Sequence, residues 1–109
     1  VRNLIAGTGS KLDQTGLELY YRLATDAGHV DATLSMMAQW TLDGLLTRLD
    51  QITAPVHLIT GTNDRAVPPS VSHMAAERLP KGTVTDLPDL GHLAHEEAPE
   101  MITDLILKA

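Results

Sequence analysis

Two short apolar runs in the second half of the chain, each followed by a helical pattern, constrain the fold more than any other feature. Residues 55–60 form an apolar run that ends at a glycine, and residues 83–87 form a second, β-favouring run that a proline stops. One helical pattern opens at Pro68 and another near Pro99. Short apolar runs bounded by Gly and Pro are typical of strands. The order strand, helix, strand, helix predicts an α/β fold with parallel strands joined by crossover helices.

Two strands are too few for such a sheet. Parallel sheets carry helices on both faces and need several neighbouring strands. The chain also begins at Val1 rather than at a methionine. We therefore expect an upstream part of the same polypeptide, or another chain, to complete the sheet. By itself the chain should leave a strand edge unpaired, and we expect it to self-associate through that edge.

Residues 1–50 carry helix signals and no convincing strand. Apolar residues recur at helical spacing in three groups: Leu17, Tyr20, Leu23 and Ala24; Val30, Leu34, Met37 and Ala38; Leu42, Leu45, Leu46 and Leu49. This spacing predicts three short amphipathic helices. We expect residues 26–29 to interrupt the first two helices, and Asp31 to meet the dipole in the first turn of the second. Residues 7–10 are expected to form a turn.

Charge and composition exclude several classes of function. The chain has 14 acidic and 8 basic residues, for a net charge of −6, and the basic residues are scattered. It therefore lacks the basic surface that nucleic-acid binding requires. Cysteine is absent, and no apolar run reaches the roughly 18 residues of a membrane span. With no signal-peptide pattern at the start, these features favour a protein of the reducing cytoplasm.

A carboxylate and a histidine each follow one of the predicted strands. Asp64 lies in a short turn after the first strand, and His92 lies in a loop after the second. Taken singly, Asp64 could cap the turn or the next helix, and His92 could be satisfied by local hydrogen bonds. Asp89 is an alternative acid, although it is very near His92 in sequence. Open α/β sheets bind ligands beyond the carboxyl ends of their strands, which favours one site for Asp64 and His92.

The order acid then histidine, each beyond a strand and separated by one helix, resembles the α/β-hydrolase family. The G-x-x-D-x-x-V-P loop of residues 61–68 and the loop containing Gly91 carry the resemblance, which extends over residues 52–109. It implies that Asp64 is the acid of a catalytic triad and that His92 is its general base. The family's nucleophile lies on a G-x-S-x-G turn, a context that none of the chain's serines has: Ser10, Ser35, Ser70 and Ser72. The nucleophile is therefore expected outside this chain.

The helical half carries a narrower resemblance. It is similar to the hydrolase-like magnesium-chelatase accessory proteins of bacteriochlorophyll synthesis in four stretches: Gly9-Ser10, residues 16–20 (GLELY), residues 28–30 (GHV) and residues 36–40 (MMAQW). The resemblance implies that residues 1–50 are the end of a helical cap with a connecting helix. It implies that residues 51–109 are the C-terminal strands and helices of a hydrolase core. A tetrapyrrole or its ester, or a chelatase component, is the implied ligand or partner.

Five side chains are candidate substrate contacts: Met36, Met37, Trp40, Val67 and Leu93. The first three form an apolar cluster that is predicted on one cap helix, and the other two stand close to the candidate acid and histidine in sequence. Adaptable methionine surfaces suit bulky apolar ligands, so the cluster predicts a pocket for a small apolar substrate. Ordinary helix packing is the alternative explanation of the cluster.

Neither a metal nor a cofactor is expected. His92, His95 and Glu96 are close in sequence, but their spacing matches neither H-E-x-x-H nor H-x-x-E-H. His57 lies within the first predicted strand and is expected to be a buried core histidine.

Two classes of function remain open. The first is a serine-hydrolase-type enzyme that cleaves an ester or a related bond, with dehalogenase-like or carbon–carbon bond hydrolysis as variants, since the fold hosts many reactions. The second is a non-catalytic accessory protein that keeps the hydrolase fold for binding and assists magnesium chelatase.

Overall fold

A computed structural model describes residues 1–108 of the chain. The helices and strands are, in order, α1 (Arg2–Gly7), α2 (Gln14–Thr25), α3 (Ala27–Ala38), α4 (Asp43–Leu46), a 3-10 turn (Leu49–Gln51), β1 (Val56–Gly61), α5 (Pro69–Arg78), β2 (Gly82–Leu87), α6 (Ala94–Glu97) and α7 (Pro99–Lys108). The predicted order strand, helix, strand, helix in the second half is confirmed, with the short α6 inserted before the last helix. The three helices predicted before residue 50 correspond to α2, α3 and the short α4.

The sheet consists of β1 and β2, which pair in parallel with Val56 opposite Gly82 and Gly61 opposite Leu87. Helix α5 connects the two strands and packs against both. Within residues 1–108, the second edge of each strand has no strand partner. The parallel register ends β1 and β2 at the same edge of the sheet, so the loops that follow them start side by side.

Gly61 lets the second of these loops cross the end of β1 closely. A Cβ at this position would overlap the carbonyl oxygen of Leu90 and would stand 2.6 Å from that of Gly91. Backbone hydrogen bonds tie the two loops together immediately beyond the sheet. Thr62 N–H donates to the Leu87 carbonyl at 2.9 Å, and Asn63 N–H donates to the Leu90 carbonyl, also at 2.9 Å.

Aspartates begin the two longer helices of the first half. Asp13 accepts from Gly16 N–H at the start of α2, and Asp26 accepts from His29 N–H at the start of α3, both at 2.7 Å. Capping of this kind satisfies backbone donors that have no partner inside a helix. Asp26 is the single residue between α2 and α3, and it caps the start of α3. The predicted interruption over residues 26–29 is therefore wrong beyond its first residue, and Asp31 lies past the first turn of α3.

The described part of the chain buries little apolar surface. Its buried apolar residues are Ile5, Leu79, Leu87 and Ala94, and no side chain in residues 1–108 is less than 2% exposed. By contrast, many large apolar side chains on α2, α3 and α7 face solvent, and Leu107 is 79% exposed. No described helix combines the length and the apolar character needed to cross a bilayer.

We expect the 109-residue chain expressed by itself to self-associate. Each ~400 Å² of apolar surface left in water forfeits about 10 kcal/mol of burial, which is comparable to the whole stability of a typical domain. Exposed strand edges also template association. Sedimentation should show oligomers or aggregates, and denaturant unfolding should be broad. A monomer with one sharp cooperative transition would contradict this prediction.

Candidate functional site

The loop after β1 holds Asp64 in a tight turn. Asp64 N–H donates to the Gly61 carbonyl at 3.0 Å. Its Oδ1 accepts from the N–H groups of Ala66 and Val67, at 2.9 and 2.8 Å. This oxygen therefore caps the turn, one of the two local roles that the sequence allowed for Asp64. It does not cap helix α5, which begins after Pro68 without a side-chain cap.

The second oxygen of Asp64 binds the histidine. His92 Nδ1 lies 2.8 Å from Asp64 Oδ2, within the range of a charge-assisted hydrogen bond. The Asp64 side chain is 8% exposed, whereas that of His92 is 40% exposed. Asp89, the alternative acid, has a positive φ of 64° and donates its backbone N–H to Thr62 Oγ1 at 3.0 Å. Asp64 is thus the acid that reaches His92.

The hydrogen bonds to Asp64 keep its carboxylate charged. Burial by itself would raise the pKa of Asp64, but hydrogen bonds from Val67 N–H, from His92 and from Ala66 N–H outweigh burial and hold the pKa below its usual value of 3.8. Because a carboxylate can only accept, His92 Nδ1 must carry the hydrogen of their bond. This leaves Nε2 of the neutral ring as an acceptor. It has no hydrogen-bond partner within residues 1–108.

A cavity of about 140 Å³ adjoins the pair. It is lined by the end of β1, by the two loops, by the start of α6 and by one residue of α7: Ile59, Thr60, Gly61, Asp64, Gly91, His92, Ala94, His95 and Ile102. Pockets for small ligands usually have about 300–1,000 Å³. The cavity is therefore smaller than a typical small-ligand pocket. The side chains of Val67 and Leu93, two candidate substrate contacts, do not line this cavity.

The other candidate substrate contacts lie on and beyond α3. Met37 lines an apolar groove of about 280 Å³ between α2 and α3, together with Tyr20 and Val30. Met36 and Trp40 are about half exposed. Helix α3 ends at Ala38, so the expectation that Trp40 shares one helix with the two methionines is wrong. The groove and the cavity beside His92 share no lining residue.

The remaining histidines separate into different environments. His57 is exposed and contacts Thr85 Oγ1 at 2.8 Å, so the expectation of a buried core histidine is wrong for the described residues. Its alternating position on β1 places it on the open face of the sheet. His95 lies 3.5 Å from Glu96 and is exposed. No group of three metal-binding side chains occurs in residues 1–108.

A second histidine–carboxylate pair provides a comparison within the same molecule. His73 on α5 lies 3.0 Å from Asp86 on β2. Both side chains are about half exposed, at 50% and 44%. Exposed pairs of this kind contribute little to stability.

Sequence reasoning missed the contacts that residues 8–11 and Glu97 make with the two loops. The carbonyl of Thr8 accepts from Arg65 N–H and from His92 N–H, at 3.1 and 3.3 Å. Ser10 Oγ accepts from Leu93 N–H at 2.8 Å. Glu97 accepts from Gly91 N–H at 2.8 Å and from the backbone of residue 11 at 2.9 Å. The sequence contained one indication of these contacts, the two glycines within residues 7–10, because glycines allow close approach of two backbones.

Comparison with known proteins finds relatives over most of the chain. The model of the "Alpha/beta hydrolase family" matches residues 6–105. The magnesium-chelatase 30 kDa subunit of Rhodobacter capsulatus is 44% identical over 107 residues, which are 98% of this chain and 37% of that protein. The epoxide hydrolase EphH of Mycobacterium tuberculosis is 35% identical over 83 residues, covering 74% of this chain and 39% of the relative. The putative non-heme bromoperoxidase BpoC of the same organism is 31% identical over 90 residues, covering 69% and 34%.

The solved structure of Rv0554 from Mycobacterium tuberculosis superposes with a TM-score of 0.56 at 25% identity, covering 95% of this chain and 46% of that one. The chain thus spans little more than a third of the length of the curated relatives it matches. The narrower similarity to magnesium-chelatase proteins, first indicated by the helical half, is confirmed by the 44% identity. With the family model covering nearly all of its residues and the same fold in a solved structure, the chain belongs to the α/β-hydrolase family.

Proposed function

We propose that this chain supplies the acid and the general base of a serine-hydrolase-type enzyme that cleaves an ester or a related bond in a small apolar substrate. The observation that carries the proposal is the 2.8 Å hydrogen bond between Asp64 Oδ2 and His92 Nδ1, made by a carboxylate that is largely buried. Both residues stand just beyond the carboxyl ends of parallel strands, where α/β sheets build their ligand sites.

The proposed chemistry follows from the roles of the two ring nitrogens of His92. Nε2 takes the proton from a nucleophile hydroxyl as that oxygen attacks the substrate carbonyl, and then returns it to the leaving group. Asp64 holds the tautomer through Nδ1–H and stabilises the imidazolium that forms during attack. The nucleophile comes from a part of the hydrolase core outside these 109 residues. Ser10 is an unsuitable nucleophile because it is buried and already hydrogen-bonded to Leu93 N–H.

The apolar character of the proposed substrate rests on α2 and α3. The groove that Met37 lines is almost entirely apolar. Met36 on α3 and Trp40 just beyond it are exposed and apolar as well. Val67 and Leu93 flank the catalytic pair in sequence but do not line the cavity beside His92, so we assign them to a part of the substrate site outside that cavity.

A second function is favoured by one specific observation. The magnesium-chelatase 30 kDa subunit of Rhodobacter capsulatus is 44% identical over 98% of this chain. This similarity supports a non-catalytic accessory protein that binds magnesium-chelatase components and takes part in bacteriochlorophyll synthesis. In that case the fold would be retained for binding, and no proton transfer by His92 would be needed.

Substitution of the catalytic pair tests the proposed hydrolysis, in a polypeptide that joins this chain to the rest of its hydrolase core. His92→Ala should reduce turnover of p-nitrophenyl butyrate to the level of a nucleophile knock-out, since triad members act as a unit. Asp64→Asn should reduce kcat by about 10⁴-fold, because the wrong tautomer of His92 is favoured. His73→Ala is the matched control: it breaks the exposed pair with Asp86 and should leave kcat within about twofold. Full activity in His92→Ala would remove the proposal.

The pH dependence of stability tests the charge on Asp64. Because its pKa is lower in the folded state than its usual value of 3.8, the carboxylate's contribution to stability is complete above roughly pH 5 and is lost as the pH falls through the folded pKa. In the same polypeptide, Asp64→Asn should lower the free energy of unfolding by about 1.5–3 kcal/mol at pH 7. The difference from wild type should shrink below about pH 4. A difference that grows on acidification, in parallel urea titrations, would contradict the assignment.

A magnesium-chelatase assay separates the two functions. If the accessory function is correct, the wild-type protein and His92→Ala should raise the rate of Mg²⁺ insertion into a porphyrin equally, because binding does not require the imidazole. An increase that disappears in His92→Ala, in parallel with ester hydrolysis, would tie the effect to catalysis and would contradict a purely accessory role.

A further inference from the structure

The segment between α1 and α2, residues 8–13, contacts two loops. The acid loop is residues 62–68, after β1, and the histidine loop is residues 88–93, after β2. A single carbonyl oxygen, that of Thr8, accepts from Arg65 N–H at 3.1 Å and from His92 N–H at 3.3 Å. Arg65 follows the acid directly in sequence, and His92 is the histidine itself. One backbone acceptor therefore spans the two loops at the point where they hold the catalytic pair.

Glycines permit this close approach. Gly9 has a φ of 82°, and a Cβ there would overlap the carbonyl oxygen of Asn63 in the acid loop. A Cβ on Gly91 in the histidine loop would overlap the backbone of Gly9 and Ser10, and would come within 2.5 Å of Ser10 Oγ. The segment is thus in backbone contact with both loops, without intervening side chains.

Three consecutive backbone N–H groups around the histidine all find acceptors in this region. Gly91 N–H donates to Glu97 Oε1 at 2.8 Å, His92 N–H donates to the Thr8 carbonyl, and Leu93 N–H donates to Ser10 Oγ at 2.8 Å. Ser10 is only 4% exposed, so water does not compete readily for its hydroxyl. The peptide groups on both sides of His92 are therefore held.

Glu97 binds both the segment before α2 and the loop that carries His92. Its second oxygen, Oε2, accepts from the backbone N–H of Lys11 at 2.9 Å. The carboxylate thus joins the segment after Ser10 to the residue before His92. Helix α2 is connected to α6 next to Glu97, because Tyr20 on α2 donates its hydroxyl to Glu96 Oε1 at 2.5 Å. Burial, together with the hydrogen bond to Glu96 and its charge, raises the pKa of Tyr20 to about 12, so the phenol remains a donor.

We infer that residues 8–11 together with Glu97 form a brace that sets the position of His92 relative to Asp64, with Ser10 and Glu97 as its positioning residues. The inference rests on the hydrolase function proposed above, because a fixed ring position matters only if His92 transfers protons. Neither Ser10 nor Glu97 touches the reacting atoms. They act through the backbone of residues 91–93, which leaves only the side-chain torsions of His92 to be fixed by its bond to Asp64.

The test uses the polypeptide that joins this chain to the rest of its hydrolase core, with Ser10→Ala and Glu97→Gln as variants. Ser10→Ala removes the acceptor for Leu93 N–H. Glu97→Gln leaves one acceptor oxygen for two N–H donors. The controls are Ser70→Ala and Glu100→Gln, which alter exposed residues in the first turns of α5 and α7.

Two measurements report on ring position rather than on folding. The first is the low-field NMR signal of His92 Nδ1–H, identified by its absence in His92→Ala. The second is the separation of kcat from KM in ester hydrolysis. We expect Ser10→Ala to lower kcat about tenfold with KM unchanged, the loss of one hydrogen bond felt in the transition state. The Nδ1–H signal should broaden or disappear in both variants and persist in both controls.

The outcomes separate this inference from the function on which it rests. If His92→Ala abolishes hydrolysis while Ser10→Ala and Glu97→Gln keep both the Nδ1–H signal and kcat, the brace is refuted and the hydrolase proposal stands. A loss of stability alone, with signal and kcat intact, would make these contacts ordinary folding contacts and would also refute it. If His92→Ala is fully active, the proposed function fails. The NMR signal then still decides whether Ser10 and Glu97 position the ring.

Discussion

The parallel register of β1 and β2 is the constraint on which the rest of the site depends. Because Gly61 and Leu87 are paired, both strands end at one edge, and the loops that follow them emerge next to each other. Parallel neighbours of this kind need a crossover, which α5 provides. Had the strands run antiparallel, the residues after β1 and after β2 would have left opposite ends of the sheet. The 2.8 Å contact between Asp64 and His92 is therefore a consequence of strand direction before it is a consequence of side-chain chemistry.

The fold of the second half and the contact between its acid and histidine could be predicted from sequence because each depends on local signals. Gly61 and Pro88 end their runs, and turn residues follow both strands, so the positions of Asp64 and His92 were readable in advance. The position of the boundary between α2 and α3 was harder to predict from the sequence. Gly28 has a low helix propensity, but α3 begins at Ala27, and the side chain of Asp26 accepts a hydrogen bond from His29 N–H in its first turn.

The support around the pair could not be predicted, because it is made by backbone groups that are distant in sequence. Ser10 and Leu93 are 83 positions apart, and Lys11 and Glu97 are 86 apart. The carbonyl of Thr8 leaves no mark on the sequence at all, since every residue has one. The arrangement of Met36, Met37 and Trp40 was missed for a related reason. Met36 and Met37 lie on α3, but the end of this helix at Ala38, before Trp40, depends on backbone geometry that helical spacing does not specify.

The two histidine–aspartate pairs in this molecule show why distance alone does not define a catalytic pair. Asp86 and His73 approach to 3.0 Å, almost as close as Asp64 and His92, yet both are open to solvent. Water can compete for this pair, because both of its side chains are about half exposed. Asp64 instead has one oxygen held by two backbone N–H groups, and the backbone of His92 is held on both sides by Ser10 and Glu97.

Catalysis benefits from groups whose orientation is set before the reaction begins, because no free energy is then spent on reorganisation. Within residues 1–108, backbone N–H groups donate to the carboxylate of Asp64 but not to that of Asp86, and residues 10 and 97 hold the loop that carries His92. The surroundings of His92, more than its distance from Asp64, therefore distinguish this pair from His73 and Asp86, and the proposed hydrolysis relies on them.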